Sequence, residues 1–156
     1  MTEPREGAAH GAKEFVTVTI AGQLFGVPVL AVQDVLGAQR LARIPLAPAE
    51  VAGALNLRGR IVTAIDLRRR LGLPPRANEA KSMSVVVDHH GEFYSLIVDA
   101  VGEVLSLPDE AFEPNPAMLD PLWRAVSVGI FRLQKELLVV FDVERLLELG
   151  PTRRAA

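Results

Sequence analysis

A chain of 156 residues that is 49% apolar but only 5% aromatic can build one compact domain, or two small subdomains sharing a core, and offers little surface for stacking bases or sugars. Its net charge of −2 excludes a bulk electrostatic pull towards nucleic acid or an acidic membrane. The lack of cysteine excludes disulfides, zinc-thiolate sites and cysteine nucleophiles, and fits a reducing compartment.

Residues 1–13 are polar and rich in glycine and alanine, and with residues 151–156 they read as disordered tails around a single ordered domain, 14–150. No stretch supplies the about 18 uncharged apolar residues that cross a bilayer. The expectation is a cytoplasmic protein with no direct membrane insertion.

Between the tails the recurring period is two. Val16, Val18 and Ile20 alternate with Thr17 and Thr19, a half-buried strand; Ala21-Gly22-Gln23 is a turn, and Leu24, Phe25 and Val27 continue as a second strand ended by Pro28. Residues 30–35 read as a short helical turn, and 43–48 as turn-like, because proline fixes φ and removes a donor. Residues 51–57 and 60–65 form a hairpin about a tight Arg58-Gly59 connection. Asp66 then caps a short helix over 67–71, which Gly72 and Pro74-Pro75 stop.

A second series follows a polar linker at 76–81. Strands are predicted over 84–88, 93–98 and 101–107, the first two joined by a His89-His90-Gly91 turn. Residues 108–121 read as irregular, 126–133 and 137–141 as a last hairpin, and 143–149 as a helix capped by Asp142. The stretches Ile61-Val62-Thr63-Ala64-Ile65-Asp66-Leu67 and Leu137-Leu138-Val139-Val140-Phe141-Asp142-Val143 share one pattern: apolar strand, aspartate, short helix. Two similarly built all-β subdomains follow, small barrels each closed by such a unit. The links are too short for a helical crossover, so antiparallel pairing is expected.

Charge is unevenly distributed. Arg58, Arg60, Arg68, Arg69, Arg70 and Arg76 lie in one stretch, and Glu103, Asp109, Glu110, Glu113 and Asp120 in another. Opposed charged regions suit docking to protein partners, where charge sets orientation and on-rate. They equally suit an ordinary solvated surface.

Nothing in the sequence assembles an active site. The nucleophile elbow, the phosphate-cradling loop, the H-E-x-x-H helix and the dinucleotide fingerprint are all absent. His10 falls in the tail. His89 and His90 are neighbours on a turn, expected to point apart, so no metal site is predicted. Asp66, Asp99 and Asp142 each follow an apolar run, where aspartate ordinarily caps the next turn. Neither an enzyme nor a cofactor is expected.

The segment Gly53-Ala54-Leu55-Asn56-Leu57-Arg58-Gly59-Arg60-Ile61-Val62-Thr63-Ala64-Ile65-Asp66-Leu67-Arg68 resembles the signature of CheW-like domains. Phe25-Gly26-Val27 with Val32-Gln33-Asp34-Val35, the run Leu96-Ile97-Val98-Asp99 with Val101 and Val104, and the closing stretch 137–147 extend the likeness from about Phe15 to Leu149. The resemblance implies two five-stranded SH3-like barrels side by side. It also implies a free-standing, non-enzymatic adaptor of a bacterial chemotaxis or chemotaxis-like array. Its partners would be the cytoplasmic tip of a chemoreceptor and the regulatory domain of a CheA-type histidine kinase, with recruitment to membrane-bound receptor arrays.

The family's receptor-facing groove maps here onto Val32, Asp34 and Arg58, with Val35 beside them. A receptor tip is a helical hairpin, and a helix docks by laying apolar knobs in a groove. Val32 and Val35 would line that groove, and Asp34 and Arg58 would set its rim. No motif marks kinase-binding residues. Three positions depart from the family pattern: Asp34 for glutamate, Thr63-Ala64 for a proline-apolar pair, and Ser95 for glycine. A second reading is a small nucleic-acid-binding barrel using the segment from Arg58 to Arg76; the scarcity of aromatics opposes it. A small-molecule barrel lacks a convergent polar set.

Overall fold

Period-two alternation becomes strand almost everywhere it was read. The structure, a computed structural model, describes residues 11–77 and 81–149. The first half contains β1 (Ala12–Ile20), β2 (Gln23–Pro28), β3 (Val32–Gly37), β4 (Val51–Leu57), β5 (Arg60–Asp66) and the one-turn helix α1 (Leu67–Arg70). The second contains β6 (Met83–His89), β7 (Glu92–Val98), β8 (Ala100–Pro108), the two-residue β9 (Phe112–Glu113), α2 (Pro121–Ala125), β10 (Ser127–Arg132), β11 (Leu137–Phe141) and α3 (Val143–Leu146).

These strands form a six-stranded sheet, ordered β8-β1-β2-β11-β10-β9, and a five-stranded sheet, ordered β3-β6-β7-β5-β4. The all-β, two-barrel expectation holds, with β9 as an extra strand in the first sheet. The assembly is interleaved. Each half gives its leading hairpin to one sheet and all its later strands to the other: β1-β2 joins β8, β9, β10 and β11, while β6-β7 joins β3, β4 and β5.

Interleaving overturns the expectation of antiparallel pairing throughout. Chain neighbours do pair antiparallel, but the two seams between halves are parallel: β2 with β11, and β5 with β7. No helical crossover is needed, since each partner arrives from a distant part of the chain. The two halves also repeat in detail. Gly53 and Gly129 sit at matching register slips in the β4-β5 and β10-β11 hairpins, facing Ala64 and Val140. Asp66 and Asp142 donate their amides to the Glu50 and Val126 carbonyls, both at 2.8 Å.

Because strands bury both faces, the described residues form three apolar cores. The largest draws on both sheets, with Val18, Phe25 and Phe141 from one and Ile65, Val85 and Leu96 from the other. A second, around Phe15, Phe131, Leu138 and Val140, lies wholly within the six-stranded sheet. The third, around Leu55, Val62, Ala64 and Val86, lies within the five-stranded one. Removing the shared core from water is the main force joining the barrels.

Several local readings change. Residues 32–35, read as helical, are strand; only Val29–Ala31 makes a 3-10 turn, because the Val32–Gly37 backbone pairs with β6. The stretch 108–121 is not wholly irregular: it holds a 3-10 turn at Asp109–Ala111, β9, and the start of α2, which Asp120 caps by accepting from the Leu122 amide at 2.8 Å. The closing helix ends at Leu146. Ala12 and Lys13, assigned to the tail, instead extend β1 opposite Pro108 and Leu107. The remaining tail assignments, 1–10 and 151–156, lie outside the described residues.

Candidate functional site

Arg58 occupies the first central position of the β4-β5 turn, with φ of 53° followed by Gly59 at 85°. Positive φ at both positions is the type I′ hairpin geometry, whose twist matches the flanking strands and which ordinarily selects Asn-Gly or Asp-Gly. An arginine there is conformationally disfavoured. Asn56 offsets part of that cost, because its Oδ1 accepts from the Gly59 amide at 3.0 Å. The asparagine of the signature is therefore a turn clamp, a role the pattern alone did not reveal.

Asp34 reaches Arg58 from β3. An extra residue in β3 between Val32 and Asp34 breaks its register with β6. Such a slip turns the strand over: Val32 packs on the shared core, whereas Leu36 packs on the interior of the five-stranded barrel. Asp34 then accepts from Arg58 Nη2 at 2.7 Å through Oδ2, and from the Val35 amide at 2.8 Å through Oδ1. The Arg58 bond, and after it the Val35 bond, holds the Asp34 carboxyl below the usual carboxylate range. The pair sits at the surface, with the arginine side chain 74% exposed and the aspartate 24%.

Of the four residues predicted to form the site, Asp34 and Arg58 are in direct contact. Val35 is exposed beside Asp34, while Val32 is partly buried and mainly a core residue. Two further apolar side chains flank these elements and are exposed: Leu30, just before β3, and Ile61, just after the turn. Hydrophobic alternation does not distinguish such residues from core.

The arginine stretch is largely consumed internally. Arg60 donates to the Gly91 carbonyl at 2.7 Å and lies 3.8 Å over the Phe93 ring. Arg68 and Arg76 both bind Asp99. Arg70 donates to the carbonyls of Leu146, Arg145 and Glu148, where the end of α3 favours a cation. Side chains used in this way do not form a phosphate-binding face, so the nucleic-acid reading has no support. Asp99, expected to cap a local turn, instead receives the distant Ala21 amide at 2.8 Å. Asp66 and Asp142 do cap their helices, accepting from Arg68 N at 3.0 Å and Arg145 N at 3.2 Å. A cleft beside α1, lined by Asp66, Arg69, Gly72, Leu73 and Pro75, thus contains a carboxylate already occupied as a cap. No helix of the described residues is long and apolar enough to cross a membrane.

Comparison with known proteins agrees with this architecture. The family model described as CheW-like domain matches residues 14–150. A probable chemotaxis protein CheW of Rhizobium etli is 31% identical over 137 residues, covering 88% of each chain. Chemotaxis protein CheW of Klebsiella aerogenes is 30% identical over 135 residues, 86% of this chain and 81% of that one. The crystal structure of scaffolding protein TtCheW from Thermoanaerobacter tengcongensis superposes with a TM-score of 0.79 at 30% identity, covering 88% of this chain and 94% of that one.

Proposed function

The chain belongs to the CheW-like domain family, and from that premise we propose that it is a non-enzymatic chemotaxis adaptor that couples chemoreceptors to a CheA-type histidine kinase. The receptor tip would dock over β3 and the β4-β5 turn. The observation that carries this site is the Asp34–Arg58 pair at 2.7 Å, built around an arginine held at φ of 53°. An exposed arginine at a turn position that favours asparagine or glycine supports a use for that side chain outside folding. Leu30, Val35 and Ile61 would supply the apolar knob-and-groove contacts around it, and Val32 would stiffen the floor. The kinase regulatory domain would use a separate apolar surface, for which exposed Phe112 and Val128 are the first positions to test. The protein would act in the cytoplasm, recruited to receptor arrays.

The test is binding of the purified chain to a receptor cytoplasmic fragment and, separately, to the kinase regulatory domain. Both should bind, and both together should give a ternary complex. Failure to bind either partner would refute the adaptor reading. Receptor binding unaffected by Arg58→Ala would refute only the site.

A further inference from the structure

His89 and His90 do not point apart. His89 ends β6, and His90 is the first central residue of the β6-β7 turn, with φ of 55°. Side chains alternate between faces only while the backbone stays extended. The left-handed residue swings the second imidazole back, and the ring centroids lie 4.1 Å apart. Glu144, in the first turn of α3, completes the group: its Oε1 is 3.9 Å from His90 Nε2, and one donor atom from each of the three residues lies within 4.8 Å of the others.

We infer that His89, His90 and Glu144 form a binding site for a borderline transition-metal dication such as Zn2+ or Ni2+. Two imidazoles and one carboxylate suit these ions, whereas Mg2+ and Ca2+ require an oxygen shell. Metal bonds of about 2.0–2.2 Å demand donors roughly 3–3.5 Å apart, so a separation of up to 4.8 Å closes by roughly 1.3–1.8 Å, which His90 and Glu144 do by side-chain rotation because both are exposed. The turn beneath them is already fixed. Asp88 Oδ1 accepts from the Gly91 amide at 2.9 Å, Arg60 donates to the Gly91 carbonyl at 2.7 Å, and Tyr94 meets the His89 ring edge-on at 6.3 Å. Three protein ligands leave a fourth position open to water or to a partner's donor group. The bound ion would tie a hairpin of the five-stranded sheet to the helix that follows the last strand of the six-stranded one.

The experiment is calorimetric titration of the full chain, freed of metal, with Zn2+, Ni2+ and Mg2+. It is paired with hydrogen exchange at α3. His90→Asn removes the ligand while keeping a residue suited to positive φ, and Glu144→Gln keeps the shape of the carboxylate; His10→Ala controls for the third histidine. The expected result is one Zn2+ or Ni2+ per chain, with no binding of Mg2+. His90→Asn and Glu144→Gln should each weaken binding at least about tenfold, and His10→Ala should leave it unchanged. Zn2+ should slow exchange in α3 of the parent but not of Glu144→Gln. Absence of saturable Zn2+ binding in the micromolar range would overturn the site. Binding insensitive to His90→Asn would do the same, as would binding insensitive to Glu144→Gln, or binding lost with His10→Ala.

Discussion

Asp99 and Arg68 form a two-bonded ion pair, Nε to Oδ1 at 3.0 Å and Nη2 to Oδ2 at 2.7 Å, joining the end of β7 to the helix that follows β5. The same carboxylate takes the Ala21 amide from the β1-β2 turn and the Arg76 guanidinium from the segment leading to β6. Burial alone would raise the Asp99 pKa. The bonds from Arg68, the Ala21 amide and Arg76 more than offset this and hold the carboxyl far below the usual carboxylate range.

A group whose folded pKa is depressed stabilises the fold above its unfolded value, about 3.9 for aspartate, and loses that contribution as pH falls towards the folded value. Asp99→Asn should therefore cost about 2 kcal/mol at neutral pH, less than the about 3–5 kcal/mol for breaking a fully buried pair, because the Asp99 and Arg68 side chains remain 22% and 17% exposed. The difference between parent and variant should narrow as pH drops below about 4. Urea denaturation across pH measures both; a gap independent of pH would mean that the charge of Asp99 contributes nothing.

Arg58→Asn separates folding from docking. Asparagine is favoured where arginine is strained, so the variant should gain about 0.5 kcal/mol of stability. Loss of the exposed pair with Asp34 removes at most ~1 kcal/mol. Stability in thermal melting should thus stay within about 0.5 kcal/mol of the parent in either direction, while receptor binding falls by tenfold or more, the size of a hot-spot loss of ~2 kcal/mol. Receptor binding equal to the parent's would show that the turn is a folding element only.

The pair itself is resolved by a double-mutant cycle over Asp34→Ala and Arg58→Ala. The coupling in folding free energy should be below ~1 kcal/mol, as for other exposed pairs. The coupling in receptor binding should exceed it, since docking removes water from both charges. Equal couplings in the two assays would mean that a partner leaves the pair solvated.

Gly129 and Gly59 both have positive φ, 155° and 85°, but differ in surroundings. A Cβ on Gly129 would overlap the Phe112 ring and lie 2.5 Å from the Glu113 carbonyl, whereas one on Gly59 meets nothing within 4 Å. Gly129→Ala should cost about 2–4 kcal/mol through overlap and backbone strain, and Gly59→Ala only about 1 kcal/mol. Chemical denaturation of the two variants, read side by side, checks the ordering.

Much of this was legible beforehand because strands announce themselves locally. The Val16–Thr17–Val18 alternation, the Arg58-Gly59 turn and the two Asp caps need only neighbouring residues to be read. The parallel seams did not show, because Phe25 finds Val139 and Ile65 finds Leu96 across long separations that no local period encodes. The slip in β3 was equally hidden: Gln33, read as part of a short helical turn, decides which face Asp34 occupies. Arg58 and Asp34 were each singled out in the sequence, but not that they bond to each other. Asn56 went unread because a turn clamp and a solvated amide look the same in sequence. The approach of the His90 ring to that of His89 was missed through one dihedral angle, which a dipeptide of non-glycine residues does not advertise.

The interleaved order of the strands also bears on how the chain is made. β2 pairs with β11 at Leu24 and Leu138, so the N-terminal hairpin leaves the ribosome long before its neighbour exists. At about 5–20 residues per second, its inner edge stays open for about 5–20 seconds, presenting unpaired amides and carbonyls to any passing strand. The five-stranded sheet has all its strands once Val98 has emerged, but the six-stranded sheet, and with it the shared core, must await Phe141. Nascent chains stalled before that point should be the species that chaperones hold, and a pause site placed just upstream of β11 should lower soluble yield without altering a single contact in the finished protein.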